Sequence, residues 1–361
     1  MLENWLKPTD RKEFKKNSYK AHQLGKYLIK PQGQLPELQS TGIAIIGIDR
    51  PIATSIRKRL YDLSYPFSGP APVDLGDVRK STIPFLIPLF KELIEHNIVP
   101  VLLGAEPEHI LALYKAFREM VSLTIVDERI PIGNPEEALA ENYLEEIFSA
   151  KRSRLFHLGL VGNQVHFVPP KVLKWIEENN FESVRLGRAK ADPNELEPII
   201  RDADLLNFNL RALKQNETPD LISSPSGFTI EEACQICRYA GMSDKMRAFS
   251  LVGFQATDPT IPYTSQVAAQ MIWYFLDGFF NRKQDFPVST EGLTEYIVDF
   301  QQNQIVFWKS KRSGRWWIQV PVKTRKKYDR HRLIPCSYND YRLACQEELP
   351  DRLLNAFRRF P

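Results

Sequence analysis

Three short stretches of this 361-residue chain collect side chains able to do chemistry. Gly104-Ala-Glu-Pro-Glu sets Glu106, Pro107 and Glu108 beside His109. Val126-Asp-Glu-Arg-Ile-Pro sets Asp127 and Glu128 beside Arg129 and Pro131, and Asn207-Phe-Asn-Leu-Arg carries Asn207 and Asn209. Carboxylates near a histidine hold divalent cations or move protons. Glu108 and His109, however, are adjacent at a helix start and point about 100° apart, which sets them against ligating one ion. Cys234-Gln-Ile-Cys237 has redox or zinc spacing. It lies inside a helical pattern with no second pair and no nearby histidine, so it reads as two small packed residues. His157 and His166 flank an apolar stretch, where hydrogen-bonded structural roles are expected.

A fourth group is basic. Lys309, Lys311, Arg312 and Arg315 interleave with Trp308, Trp316 and Trp317, and Arg325, Lys326 and Lys327 follow. Aromatics among cations stack bases and contact phosphates. The plainer reading packs the tryptophans under a hairpin and leaves the cations solvated or at a protein interface. That reading is preferred, because no nucleic-acid module is recognisable and a pI near 8.7 is modest for such a binder. Walker A, GxGxxG and GxSxG patterns are absent.

An alternation of apolar runs and helical spacing must position these residues. Gly42-Ile-Ala-Ile-Ile-Gly47 reads as a strand buried on both faces. Helical spacing follows over 52–63, then a Pro/Gly-rich loop over 65–77 and a helix over 83–97. A strand at 98–103, a helix over 108–119 and strands at 122–126, 155–160 and 204–209 continue the pattern. A helix over 231–239 with Thr229 as its N-cap, a strand at 248–254 and an apolar helix over 265–280 complete it. Such alternation predicts a three-layer α/β/α fold with a mostly parallel sheet. Ligands then gather at the carboxyl ends of the strands.

Residues 1–40 read as a polar N-terminal arm, 41–281 as the α/β domain and 282–361 as a basic, aromatic C-terminal extension packed on it. The extension is expected to hold a hairpin (305–309 with 315–320) and one helix over 340–359.

Hydrophobic residues make up 43% of the chain and charged residues 25%, which fits a globular protein and excludes disordered and collagen-like classes. Four cysteines are too few for a disulfide framework, and the N-terminus shows no secretory signal pattern. No apolar stretch reaches the roughly 20 residues that span a bilayer. A reducing, cytoplasmic setting is expected. The net charge of +4 is uneven: residues 305–332 carry ten basic side chains and one acid, leaving −5 for the rest. A basic end on an acidic body suggests an anionic partner or an acidic neighbour in an oligomer.

In order and context the three strand ends resemble the metal motifs of the ureohydrolase superfamily (arginase, agmatinase, formiminoglutamase). That pattern is Gly-Gly-Asp-His, Asp-Ala-His-x-Asp and Asp-x-Asp-x-x-Asp-Pro. Asp74-Leu-Gly-Asp-Val78 resembles the family's Asp-Leu-Gly-Asp-Val, Ser226-Gly-Phe-Thr-Ile-Glu231 its Gly-Gly-Leu-Thr-x-Glu, and Thr264-Ser-Gln-Val-Ala-Ala269 its final helix. The resemblance spans residues 41–281 and implies an arginase-type fold.

The family holds two Mn²⁺ ions with two histidines and four aspartates, and a bridging hydroxide attacks the substrate carbon. Carried over, the first histidine falls on Pro107, beside Glu106. In the second motif only Asp127 survives, with Arg129 and Pro131 at the other positions, and Asn207 and Asn209 replace the third motif's aspartates. The family's guanidinium-binding glutamate falls near Gly253. Proline has no donor and arginine is an obligate cation, so no metal cofactor is expected and no catalytic residue is assigned. The resemblance therefore implies a pseudoenzyme with a binding, regulatory or structural role and self-association. An ion pair from Arg129 to Glu106 or Asp127 is expected in the old metal position.

Two alternatives stand beside it. One is an active, manganese-dependent hydrolase of linear amidines or guanidino compounds with a site rearranged around Glu106, Glu108, His109 and Asp127. The other is an anionic-partner or nucleic-acid binder working through the extension. Any small ligand is expected in the cleft of Glu106, Glu108, His109, Asp127, Arg129, Asn207 and Asn209.

Overall fold

Apolar runs such as Ile43–Gly47 and Leu205–Asn209 are buried at every position, which a strand achieves only when both its faces are covered. The computed structural model describes residues 2–10, 12–28, 42–133, 136, 138–151, 153–221, 223–254, 262–287, 290–321 and 331–360. The chain opens with β1 (Leu6–Lys7) and α1 (Leu24–Tyr27). Regular alternation then follows through β2 (Ile43–Gly47), α2 (Arg50–Leu60), β3 (Val73–Val78), α3 (Ile83–Glu95), β4 (Val99–Ala105), α4 (Ile110–Ala116) and β5 (Val121–Val126). It continues with α5 (Leu139–Ser149), β6 (Leu155–Val161), α6 (Pro170–Glu178), β7 (Glu182–Val184), α7 (Leu186–Ala191) and α8 (Leu196–Arg201). The domain closes with β8 (Leu205–Asn209), α9 (Ile230–Met242), β9 (Ala248–Val252) and α10 (Pro262–Phe280).

These nine strands form one sheet in the order β1-β3-β2-β4-β9-β8-β5-β6-β7, and every pairing except that of β1 with β3 is parallel. Residues of α2, α7, α8, α9 and α10 build the core on one face. Those of α3, α4, α5 and α6 build it on the other. The result is three layers with the strand ends aligned. Capping fixes where the helices begin: Asp49 accepts the Ile52 N–H at 3.0 Å to start α2, and Thr229 with Glu232 forms a capping box at α9. No helix among the described residues is long and apolar enough to cross a membrane.

Two expectations need correction. The stretch 65–77 is not all loop, because β3 begins at Val73. Its carboxylates lie where the alternation signal fails: Asp74 and Asp77 are buried against Arg57, which is itself 0% exposed. Arg57 donates to Asp74 at 2.8 and 3.1 Å, to Asp77 at 2.5 Å and to the Gly76 carbonyl at 2.9 Å, while the Tyr61 hydroxyl also donates to Asp74. Gly76, at φ +87°, is required there: a Cβ would lie 2.0 Å from the Lys7 carbonyl oxygen. The Asp-Leu-Gly-Asp segment is thus a buried structural network, one that also receives β1 of the N-terminal arm.

The other correction concerns the last helix, and both ends of the chain add to the expected picture. The polar N-terminal arm is also tied into the body: β1 joins the sheet, and Phe14, Leu24 and Leu28 enter the core. The expected hairpin is present as β11 (Asn303–Ser310) with β12 (Trp316–Gln319), and it is extended on either side by β10 (Leu293–Phe300) and β13 (Leu333–Cys336) into a four-stranded antiparallel sheet in the order β10-β11-β12-β13. Its core gathers Phe307, Trp316, Ile318 and Ile334 over the last helices. The single final helix is two, α11 (Tyr338–Cys345) and α12 (Asp351–Phe357). Glu347 at φ +63° and Pro350 break the helical ladder between them.

Candidate functional site

The carboxyl ends of β4, β9, β8 and β5 lie side by side in the sheet, so the three sequence stretches meet at one rim. At its centre is Asp127, 2% exposed. The cation that meets it is Arg211, whose Nε donates to Asp127 Oδ1 at 2.6 Å and whose Nη2 donates to Oδ2 at 3.0 Å. Arg211 Nη1 donates to Glu141 Oε1 at 2.5 Å, which ties α5 over the cleft. Burial works against the charge on Arg211, but Asp127 and Glu141 outweigh it and hold the guanidinium firmly protonated.

Both asparagines serve this ion pair and the roof above it. Asn209 Nδ2 donates to Asp127 Oδ2 at 2.9 Å, and Asn209 Oδ1 accepts the Arg211 N–H at 3.2 Å. That second bond caps the turn that swings Arg211 back onto Asp127. Asn207 Nδ2 donates to the buried Tyr143 hydroxyl at 3.2 Å, while its Oδ1 is buried with no hydrogen-bond partner. Burial, with Asp127 nearby, pushes the Tyr143 hydroxyl upward and keeps it neutral.

The structure replaces the expected Arg129 ion pair. Arg129 is about half exposed, lies 3.5 Å from Glu128 Oε1 and covers the Phe167 ring at 5.1 Å. Only its backbone N–H reaches Asp127, at 3.1 Å. Arg129 starts a surface turn, whereas Arg211 sits two residues past the β8 end with its turn already capped inward. The signal for Arg211 was present in Asn-Phe-Asn-Leu-Arg, but spacing alone does not give the direction of its side chain.

Residues at the β4 end do not converge on a metal position. His109 Nδ1 accepts the Glu106 N–H at 2.8 Å, so Nε2 carries the proton and donates to the Ser81 carbonyl, also at 2.8 Å. Both ring nitrogens are occupied by backbone. Burial, with Glu108 and Asp49 nearby, raises the Glu106 carboxyl, and burial beside Asp127 raises Glu128. Pro107 and Pro131 offer no ligand atom.

Gly253 closes the remaining corner. It lies at φ +86°, and a Cβ there would fall 2.0 Å from Asn209 Oδ1. A glutamate at this position is therefore incompatible with the Asn209–Asp127 arrangement. Among the described residues no three His, Cys, Asp or Glu side chains are placed to hold a metal ion. The donor set does not fit a two-manganese centre: Asp127 has both oxygens taken by hydrogen bonds, and a fixed guanidinium stands against its carboxylate.

The other candidates resolve similarly. Cys234 and Cys237 are buried in α9, and burial pushes the Cys234 thiol up to about 12, away from thiolate chemistry. In the extension, Lys311 and Arg312 are exposed, and Lys309 Nζ lies 5.1 Å over the Trp316 ring. Arg315 is not an open cation: it is nearly buried and paired with Glu197 at 3.2 Å. Arg325, Lys326 and Lys327 lie outside the described residues. Trp317, 1% exposed, sits under the Arg201 guanidinium at 4.5 Å and joins the extension to the domain.

This three-layer architecture with its strand-end cleft is the fold of the ureohydrolase, or arginase, superfamily. Formiminoglutamase of Trypanosoma cruzi, in a structure with Mn²⁺, matches at a TM-score of 0.59 and 16% identity, over 69% of this chain and 97% of that one. Formimidoylglutamase of Bacillus subtilis matches at 0.60 and 15%, over 72% and 93%. Agmatine ureohydrolase of Thermoplasma volcanium matches at 0.56 and 14%, over 73% and 96%. No protein-family model and no curated protein sequence matches the chain.

Proposed function

We propose that this chain is a catalytically inactive protein on a ureohydrolase scaffold, with a binding, regulatory or structural role. The observation that carries the reading is the Arg211–Asp127 pair at the strand-end rim. In this reading the guanidinium supplies the positive charge that metals supply in manganese-bearing relatives. It neutralises Asp127 and Glu141 without offering a Lewis acid or an activated water. Asn207 and Asn209 replace anionic ligands by neutral amides that orient the pair, and Gly253 removes the side chain that would crowd Asn209.

The test is metal content by inductively coupled plasma mass spectrometry, on protein purified without chelator and dialysed against Mn²⁺. A ratio near zero per chain is expected, together with no Mn²⁺-dependent release of urea or formamide from guanidino and formimino compounds. One or two tightly bound ions with turnover would replace this reading by the hydrolase one.

A further inference from the structure

Away from the strand-end cleft, a cavity of about 590 Å³ opens along the seam between α6, β7 and α7 of the domain and α11 and α12 of the extension. Apolar side chains on both sides, among them Ile176, Val184 and Leu343, line part of it. Seven carboxylates and three guanidinium groups line the rest, a net charge of −4. One of the guanidinium groups, Arg352, is 8% exposed and organises the inner wall. Its Nε donates to Glu182 at 3.2 Å and its Nη1 to Asp340. Its Nη2 is ion-paired with the Glu195 carboxylate at 3.8 Å, beyond hydrogen-bond distance. Glu177 on the domain and Glu348 on the extension are exposed at the seam and form no ion pair among the described residues.

We propose that this seam is a binding site for a short basic peptide segment of a partner protein that alternates cationic and aliphatic side chains. Each feature of the cavity answers one part of such a ligand. The net negative lining attracts ammonium or guanidinium groups. The apolar positions take aliphatic side chains, and the volume suits a few residues. Arg352 Nη2, whose Glu195 partner stands beyond hydrogen-bond distance, is open to a peptide carbonyl. That last match separates a peptide from a simple polyamine, which has no acceptor. Because the walls come from both the domain and the extension, the site exists only while the two are docked.

The test is titration calorimetry of the full chain with the peptide acetyl-Lys-Leu-Lys-Leu-Lys-amide. Acetyl-Lys-Ser-Lys-Ser-Lys-amide and spermine serve as comparison probes. Saturable binding of one leucine peptide per chain is expected, with affinity falling as salt rises. It should weaken at least about tenfold in the Glu177→Gln/Glu348→Gln variant, whose two exposed carboxylates form no ion pair among the described residues. The serine peptide and spermine should each bind more weakly than the leucine peptide. Absence of binding up to about 1 mM, or equal affinity in the double variant, overturns the site. Spermine binding as tightly as the leucine peptide overturns the peptide assignment.

Discussion

Arg211 and Asp127 meet fork to fork, two nitrogens on two oxygens, at the strand-end rim of the sheet. Because Asp127 is fully buried, this pair is held to a different standard from a surface salt bridge. Removing one partner strands a charge in a poorly solvated place. Arg211→Ala is therefore expected to lower unfolding free energy by about 3–5 kcal/mol, read by urea denaturation. Arg211→Met combined with Asp127→Leu should lose less than either single change, since the only charge then left without this partner is that of the part-exposed Glu141. A single-variant loss under about 1 kcal/mol, the level of an exposed pair, would contradict the assignment.

Restoring the side chain missing at Gly253 is expected to harm the fold rather than recover chemistry. Even alanine at Gly253 must displace the Asn209 amide and hold φ +86°, at a cost of about 1–3 kcal/mol. Gly253→Ala should melt several degrees below the parent in a thermal scan, and Gly253→Glu lower still, without Mn²⁺-dependent amidine hydrolysis. Wild-type melting for Gly253→Ala would mean that the Asn209 amide is free to move.

The seam between domain and extension has its anchor at Trp317. Trp317→Ala removes the ring on which Arg201 lies and leaves a large cavity, with an expected loss of about 3–5 kcal/mol. The extension should also become the first part cut by trypsin, with the α/β domain surviving as a resistant fragment. Uniform cleavage of the whole chain would show that the two parts unfold together.

Acid should weaken the same seam in two stages. Burial, reinforced by Arg359, holds His157 down to about 4, so between about pH 6.5 and 4 the unfolded chain binds a proton at this residue that the folded one does not. Stability from this source is complete above pH 6.5 and declines as pH falls to about 4. Glu182 is buried too, but Arg352, His157 and Arg359 hold it well below the ordinary carboxylate range. Its contribution is present above about pH 4.3 and is lost at still lower pH. His157→Gln should flatten the first stage alone, in denaturant titrations run from pH 7.5 to 4.5. An unchanged slope would remove His157 as its source.

The uneven charge also has a physical resolution inside the molecule. Within the basic run 305–332, Arg315 meets Glu197 at 3.2 Å; beyond it, Arg352 meets Glu182 and Asp340. Part of the basic excess of the tail therefore faces acids of its own domain or its own helices. Lys311 and Arg312 remain exposed, so an anionic partner for the extension rests on fewer cations than composition suggested.

The sequence by itself determined the layered α/β architecture, because strands buried on both faces must be apolar throughout and helices between them must show a 3.6-residue period. It also determined that Pro107, Pro131, Asn207 and Asn209 bring neither carboxylate nor imidazole to the strand ends, wherever they lie. Edge strand β1 and strand β3 escaped it. One is two residues long, and the other carries carboxylates buried against Arg57, contrary to the apolar signal. Only the tertiary structure decided that Arg211, not Arg129, occupies the cleft. Both are charged residues just past a strand, and what separates them is the capped turn by which Asn209 aims one inward while Phe167 holds the other at the surface.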